Sequence, residues 1–506
     1  MVQVSYPGVY VEENASGVRT ITGVSTSIAA FVGYTRKGVP DKAMTLFSFA
    51  DFERSYGGLD RDSPLSYAVR QFFLNGGSQA LIVRVVIGHA SAGWVLHSAT
   101  APLLTITTSS PGAWGNDLRL SIQHSSPGSD FNLLVSQLQA DGATLVTLET
   151  HRNLSLDSNS PQYVEALVNN ASTLIRVELD HGQVFTGTAV QRPAVITDVA
   201  PSITGVDGSR GGATDLLGSQ SDKTGIYALL DSDLFNLLLI PETFDMTAGQ
   251  EAGLIAAAVA LAEARRAFYI IDAPSNRTLK DIGSWANGTP QSRNAATYFP
   301  ALRILDPLDG LRPRAMAPSG TLAGVYARID ATRGVWKAPA GTDASLDGVL
   351  DLTLLINDLE NGPLNQIGVN ALRSFPVYGK VAWGARTLKG SDALADEYKY
   401  IPVRRLALFL EESLYRGSQW VVFEPNDEPL WAQIRLNLSA FMNDLFRQGA
   451  FQGKTQRDAF FVKCDKETTT QADRDLGVVN ILVGFAPLKP AEFVVLTIQQ
   501  ITGNRQ

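Results

Sequence analysis

The chain has 506 residues, of which 45% are apolar and 18% charged, and its formal net charge is −8. This length exceeds what one hydrophobic core can organise and predicts about two to four domains. The acidic balance argues against general affinity for nucleic acid or anionic membranes. A single cysteine, Cys464, excludes an intrachain disulfide and a multi-cysteine metal site, and its apolar surroundings predict a buried strand residue.

The first residues have the period-2 pattern of a β-strand but no hairpin partner beside them. Backbone groups of an unpaired strand lack hydrogen-bond partners, so such a strand tends to pair with another sheet edge. We therefore predict an N-terminal linking arm over residues 1–22. The side chains expected to pair between subunits are Val2, Val4, Tyr6, Val9 and Val11.

The C-terminus has the same character, because its last stretch is dense in β-branched residues and ends in a polar tail. We predict a second linking arm over residues 491–506, with Phe493, Val495 and Thr497 as pairing positions. Arms of roughly 15–20 residues span at most about 50–70 Å, enough to reach an adjacent subunit. Two such arms predict a protein that links to its neighbours by donating strands.

After a polar link over Thr20–Ser27, which we expect to be flexible, a strand–helix–strand order indicates an α/β layer. Ile28–Tyr34 is the first buried strand, and Ala80–Val86 is the second. Between them, Ser63 and Pro64 form a typical helix start. From about 96 to 205, short alternating runs separated by Pro-Gly and Asp-Gly turns predict an inserted all-β domain.

The α/β pattern then resumes. Residues 206–374 contain predicted strands at 234–241, 267–272 and 298–305, a helix at 248–266, and a helix to about residue 332 capped by Ser319. The apolar strand at 234–241 is typical of a parallel sheet covered on both faces. We therefore assign residues 23–95 and 206–374 to one α/β core.

The pattern of helices and strands over residues 375–490 predicts an α+β domain. One helix carries Leu406, Phe409, Leu410 and Leu414 on a single face, and a second runs over about 428–448 with Asp427 as its N-cap. Strands are expected at 419–424, 458–463 and 478–486.

No signal-peptide pattern opens the sequence, so we expect the chain to stay in the compartment where it is made. The longest apolar run, Gly253–Ala262, is far short of a membrane span and predicts a buried helix.

Patterns that would indicate an enzyme are weak. Gly449–Thr455 is one residue short of a phosphate loop and follows a helix, so a helix end explains it better. Ser319 at a helix start is the sharpest candidate nucleophile, yet no histidine occurs from 182 to 506 to serve as its base. His89 and His97 lack the spacing of a metal site. We predict no enzymatic activity, no metal and no cofactor.

Several segments resemble contractile-phage tail sheath proteins, a family also found in contractile bacteriocin-like particles. The similar segments are Tyr6–Glu13, Ile21–Gly33, Pro111–Asn116, Asp330–Gly341, Gly379–Leu388, Tyr400–Leu406, Glu411–Gly417 and Val422–Asn426. The resemblance covers nearly the whole chain.

The resemblance implies a subtilisin-like α/β core without a catalytic triad, the inserted domain on the outside, and a C-terminal domain facing a tail tube. It implies that subunits polymerise helically around the tube, join by their arms, and contract by rigid-body movement to drive the tube through a host envelope. Expected partners are further copies of the chain and the tube, baseplate and tail terminator proteins, with no nucleic acid and no membrane insertion. Expected localisation is the virion tail, after assembly in the host cytoplasm.

The basic start of the helix near residue 404, together with that implied role, predicts a tube contact at Lys399, Arg404, Arg405 and Arg416. A solvated charged face is the alternative interpretation of these residues. For the whole chain, the alternatives are a serine hydrolase of subtilisin-like fold and a non-contractile capsid or baseplate protein.

Overall fold

The computed structural model describes residues 20–98, 102–124, 130–180, 192–247 and 249–493. Of the arm positions predicted to pair between subunits, Phe493 is described. The others lie outside the described residues, namely Val2, Val4, Tyr6, Val9, Val11, Val495 and Thr497.

Strands and helices occur throughout the described part of the chain, with turns and loops between them. The strands are β1 (Ala29–Gly33), β2 (Met44–Leu46), β3 (Ala80–Arg84), β4 (Val86–Ile87), β5 (Gly93–His97), β6 (Pro102–Thr108), β7 (Leu118–His124), β8 (Phe131–Leu138), β9 (Leu145–Leu154), β10 (Ile175–Leu179), β11 (Ile196–Val199), β12 (Ser209–Arg210), β13 (Leu237–Leu239), β14 (Phe268–Ile271), β15 (Ala295–Phe299), β16 (Leu302–Asp306), β17 (Arg312–Met316), β18 (Asp351–Leu352), β19 (Val369–Phe375), β20 (Gly379–Ala382), β21 (Phe460–Lys463) and β22 (Leu482–Phe485). The α-helices are α1 (Phe49–Tyr56), α2 (Pro64–Leu74), α3 (Val164–Ala171), α4 (Ala213–Leu217), α5 (Ala252–Ala264), α6 (Ile282–Gly288), α7 (Ser319–Arg333), α8 (Asp358–Gln366), α9 (Ile401–Gly417), α10 (Glu428–Arg447), α11 (Gln456–Ala459) and α12 (Gln471–Asp475).

An eight-stranded sheet in the order β2-β3-β1-β13-β14-β15-β19-β20 organises the α/β core. The strands from β3 to β19 in this order run parallel, and antiparallel strands β2 and β20 close the two edges. All residues of β1, β13 and β14 are buried, because helices cover both faces of the sheet. The predicted strands at 28–34, 80–86, 234–241 and 267–272 are therefore confirmed, with shorter bounds.

Helices α2 and α7 pack together on one face of this sheet. As predicted, Ser63 caps α2, where its hydroxyl accepts a hydrogen bond from the amide of Ser66 at 3.1 Å. Glycines let the two helices approach closely. A Cβ on Gly320 would lie 2.4 Å from the carbonyl oxygen of Ala68, and one on Gly324 would lie 2.5 Å from that of Phe72.

The other face is covered mainly by α5 and by a 3₁₀ helix over Gly225–Asp231. Helix α5 contains the longest apolar run, and Leu254, Ile255, Ala258 and Leu261 are buried in it, as predicted. Among the described residues, no helix combines the length and apolarity that a bilayer crossing needs.

The strand predicted at 298–305 is two strands. The strand is interrupted at Pro300. Strand β15, which ends just before this proline, belongs to the large sheet, and β16, which begins just after it, belongs to a separate sheet with β17 and β18. Proline cannot donate a ladder hydrogen bond, which is consistent with a strand ending there. Leu302, Ile304 and Met316 of the small sheet are buried in the same core as α2 and α7.

A mostly β module with its own core is inserted after β4. It contains a three-stranded sheet (β10-β6-β5) and a four-stranded sheet (β11-β7-β8-β9), with α3 beside them. Its buried apolar residues run from Trp94 to Leu179. The module therefore begins at β5, three residues before the predicted boundary at 96. Isolated β-bridges join Ala90 to Val206 and Gly93 to Ile203. They mark where the chain enters and leaves the module.

The last part of the described chain combines α9 and α10 with the two-stranded antiparallel sheet β21-β22. The two predicted helices and the last two strands are confirmed with small changes of bounds. The strand predicted at 419–424 is wrong: Gln419–Val421 form a 3₁₀ turn directly after α9, followed by an exposed loop. Its valines lie in this turn and loop and pair with no described strand, so tertiary context overrides their strand propensity.

The close packing of α2 and α7 is testable with Gly320→Ala. The added methyl group would collide with α2, so we expect the free energy of unfolding to fall by about 1–3 kcal/mol in chemical denaturation. The control is Gly253→Ala in α5, where nothing lies within 4 Å of the added Cβ. This control should stabilise by about 0.4–1 kcal/mol. Equal effects of the two substitutions would contradict the close packing.

Candidate assembly site at the two arm roots

The N-terminal root, residues 20–28, is fixed along α9. Ile21 is buried, and it fits against Gly417, where a Cβ would lie 2.6 Å from Ile21 Cγ2. The amide of Val24 donates to Ser413 Oγ at 3.2 Å. The prediction that Thr20–Ser27 is a flexible link is therefore wrong for the described residues, because these contacts hold the backbone in place.

Arg405 completes this root from within α9. Its guanidinium forms a two-point ion pair with Asp330 of α7, with N···O distances of 2.8 and 2.6 Å, and also donates to the carbonyl oxygen of Thr26 at 2.8 Å. The side chains of Arg405 and Asp330 are 3% and 4% exposed. One buried guanidinium thus joins α9, α7 and the N-terminal root.

The prediction that Arg405 contacts a tube is corrected by this geometry, since its guanidinium is buried and binds Asp330 and Thr26. The other three predicted contacts are more accessible. Arg404 binds Asn294 and Glu411, Arg416 binds Asp233 and Glu412, and Lys399 binds Asp392 at 2.5 Å. These three residues stay a prediction.

The C-terminal root, residues 487–493, is held by Glu492. Its carboxylate accepts two hydrogen bonds from Arg386, at 2.6 and 2.7 Å, and one from Asn365 at 2.8 Å. Tyr400 adds a fourth hydrogen bond at 3.1 Å. Arg386, whose side chain is 1% exposed, also pairs with Asp392. Sequence analysis missed this cluster, because Arg386 and Glu492 are 106 positions apart.

The electrostatics of the C-terminal root follow from this geometry. Burial alone would raise the pKa of Glu492, but the hydrogen bonds from Arg386 and Asn365 hold that pKa below its ordinary value. The ionised carboxylate is therefore the favoured form at neutral pH. Its contribution to stability is present above the unfolded pKa of about 4.3 and is lost as the pH falls through the lower folded pKa.

Two buried acids at the carboxyl edge of the large sheet were also missed. Asp272 accepts the backbone amide of Ser319 at 2.9 Å, and Glu242 accepts that of Tyr34 at 2.9 Å. Gly33 makes room for Glu242, since a Cβ there would lie 2.3 Å from the carboxylate. Burial raises the pKa of each acid to about 7.

The contacts of Asp272 decide between the two predicted roles of Ser319, as a helix cap or as a nucleophile. Asp272 binds the first amide of α7, so the N-cap is Pro318, and the prediction that Ser319 caps this helix is wrong. The side chain of Ser319 is completely buried, which leaves no access for a substrate. The serine hydrolase alternative is not favoured.

Other candidate sites have structural roles. In the glycine-rich segment, Gly449 lies just after the end of α10, and Thr455 is the N-cap of α11. Among the described residues, no cluster of histidine, cysteine and carboxylate side chains could hold a metal ion. Cys464 is buried at the end of β21, and burial raises the pKa of its thiol to about 11.

Comparisons with known proteins agree with this architecture. Residues 395–501 match the family described as phage tail sheath C-terminal domain. The sheath complex of an extracellular contractile injection system (PVC) in its contracted state matches with a TM-score of 0.60 and 22% identity, over 99% of each chain. The contracted helical sheath of the anti-feeding prophage matches with a TM-score of 0.57 and 23% identity, over 98% of this chain and 99% of that chain.

A crystal structure of a sheath tail protein from Listeria innocua matches with a TM-score of 0.59 and 12% identity, over 93% of this chain and 96% of that chain. A search of curated protein sequences yields no match. The mixed α/β fold with several sheets is thus shared with these sheath structures. The resemblance found in the sequence is confirmed at residues 395–501, which match the phage tail sheath C-terminal domain.

The C-terminal root is testable with Glu492→Gln. The amide cannot accept both guanidinium hydrogen bonds, so we expect the free energy of unfolding to fall by about 1–3 kcal/mol at pH 7. Amide hydrogen exchange at residues 491–493 should become faster. The control is Glu424→Gln, which changes an exposed acid. Unchanged exchange at the root would contradict the anchoring role of Glu492.

Proposed function

We propose that the chain is the repeating subunit of a contractile tail sheath that polymerises helically around a tail tube. The observation that carries the proposal is the sheath-domain match at residues 395–501, in a chain that aligns with a contracted sheath structure over 99% of its length. The partners are further copies of the chain, the tube protein, and baseplate and tail terminator proteins. The sheath belongs to the tail of the particle and is assembled in the host cytoplasm.

In this proposal residues 1–22 and 491–506 are the linking arms. Residues 23–95 and 206–374 form a subtilisin-like core without catalytic function, residues 96–205 the outer domain, and residues 375–490 the tube-facing domain. The fixed arm roots support this division, since both arms begin at buried contacts on one body. Force applied to an arm is then transmitted to the whole subunit.

Sheet β21-β22 is a suitable acceptor for a donated strand. It has two strands, and each has an unpaired edge within the described residues. A two-stranded sheet is marginally stable alone, so an added strand would stabilise it and satisfy its free backbone groups. Strand pairing of this kind holds neighbours together while subunits move as rigid bodies from an extended to a contracted array.

Deletion of residues 1–19 tests the proposed linkage. The deletion stops before Ile21, so the N-terminal root stays intact and the thermal unfolding midpoint should be unchanged. We expect the wild type to form long hollow cylinders in negative-stain microscopy and the truncated protein to remain monomeric in analytical ultracentrifugation. Normal cylinders from the truncated protein would refute linkage by the N-terminal arm.

The proposed tube contact is tested by the double variant Lys399→Gln and Arg404→Gln. Removal of both charges should weaken sheath assembly on purified tubes by about tenfold or more, with sheath self-assembly unchanged, because electrostatic complementarity steers association. The matched control is Lys223→Gln with Arg61→Gln, two exposed charges on the α/β core. Equal assembly on tubes by the two double variants would exclude this surface as the tube contact.

A further inference from the structure

The loop before α10 carries an unusual apolar tip, which consists of Val422 and Phe423. Phe423 is fully exposed, and Val422 is largely exposed. The backbone of Phe423 has φ = 71°, in the left-handed region that L-residues with bulky side chains rarely adopt. Both features are unfavourable for an isolated chain, and such strain is characteristic of functional positions.

The loop that carries the tip is anchored at Asn426. The side chain of Asn426 accepts a hydrogen bond from the buried Trp431 at 2.9 Å and donates to the carbonyl oxygen of Val478 at 3.0 Å. The guanidinium of Arg474 donates to the carbonyl oxygen of Asn426 at 3.1 Å. Anchoring of the loop beside the tip reduces the conformational freedom that would be lost on binding, which favours a specific contact.

The described part of the chain also contains an aromatic cleft of about 800 Å³, between α7, α8 and the C-terminal root. This volume lies in the range of about 300–1,000 Å³ found for well-formed binding pockets. Trp336 and Trp383 line the cleft, and Trp383 is partly exposed. The cleft is therefore large enough to receive the tip, and its two tryptophans offer aromatic surface to an apolar side chain.

The tip and the cleft lie at opposite ends of α10. The loop with Phe423 precedes the first turn of this 20-residue helix, and Gln448 and Gly449 directly after its last turn line the cleft. A helix of this length spans about 30 Å. The subunit cannot place its own tip in its own cleft, but a second copy arranged head to tail can.

The charges beside the two surfaces are complementary. Glu424 follows the tip, and Lys489 lies at the cleft together with Arg333 and Lys337. Glu424 and Lys489 are exposed, and neither forms an ion pair with a described residue. Head-to-tail packing would bring this acid toward that base.

We propose that the tip of one subunit inserts into the aromatic cleft of the next, as a contact separate from strand donation by the arms. This inference rests on the proposed sheath function. The two surfaces differ, so the contact is heterologous, and repetition of a heterologous contact that does not close generates an open helical array. Buried aromatic side chains commonly dominate the energy of such interfaces.

The first test is Phe423→Ala in the full-length chain. We expect the lowest protein concentration that yields sedimentable polymer to rise by about tenfold or more. Phe47→Ala, at an exposed phenylalanine of the α/β core, is the matched control and should leave this concentration unchanged. Because both side chains are exposed, neither variant should change the thermal unfolding midpoint.

The second test exchanges charges. Glu424→Lys and Lys489→Glu should each raise the critical concentration, and the double variant should restore it toward the wild-type value. The third test is Val422→Cys combined with Ala340→Cys at the cleft, which retains Phe423, treated with a short bismaleimide. Cys464 is buried, so reaction is confined to the new cysteines. Polymers should yield a ladder of covalently joined chains, with a cross-linked peptide joining positions 422 and 340.

The outcomes separate this inference from the proposed function. If the wild type forms no cylinders, the sheath function itself fails. If the wild type and Phe423→Ala assemble at the same concentration, the tip contact is refuted and the sheath function stands. If Phe423→Ala assembles normally alone but not on tubes, the tip binds the tube and not a second copy. An absence of cross-links within intact polymers would also refute the contact, and would indicate that residues 494–506 or another segment fill the cleft.

Discussion

The buried ion pair between Arg405 and Asp330 is the interaction on which the organisation of the subunit depends. It lies where α9 of the C-terminal region crosses α7 of the α/β core, and the same guanidinium holds Thr26 of the N-terminal root. The guanidinium also lies 4.8 Å from the ring of Tyr326, a favourable cation–π distance. Removal of either partner would leave a buried charge uncompensated, at a cost of about 3–5 kcal/mol. Core, C-terminal region and arm root are thereby fixed as one body.

A sheath has to change its lattice without losing its subunits, and this rigid body suits that requirement. The N-terminal root is held by buried Ile21 and the C-terminal root by the Arg386–Glu492 cluster. In the proposed sheath, rotation between neighbouring subunits is therefore not expected within these roots. The proposed contact between tip and cleft differs from linkage by the arms. It is a short non-covalent contact between two surfaces, whereas each arm is a continuous part of its subunit's chain. It could break and form again during a change of lattice while the arms stay paired.

The sequence predicts the local features of this fold well. The Ser63–Pro64 helix start and the apolar strands of the large sheet depend on neighbouring residues, so patterns within a few positions identify them. The burial of Arg405 was also accessible in principle, since helical spacing puts it on the same face as the buried residues Ile401 and Leu408. The cluster around Glu492 was not accessible, because its members meet only in the tertiary structure. Segment 419–424 was misassigned because β-branched residues indicate a strand only where a partner edge exists.

The way in which the β module joins the core has an evolutionary consequence. The chain enters and leaves this module on paired, adjacent strands, with bridges between Ala90 and Val206 and between Gly93 and Ile203. The module also has a hydrophobic core of its own. A unit connected through two neighbouring points can be lost, enlarged or exchanged while the core closes over a short turn. If the module lies on the outside of the sheath as proposed, it can diversify between lineages, and be engineered to display foreign domains, without a change in the α/β core.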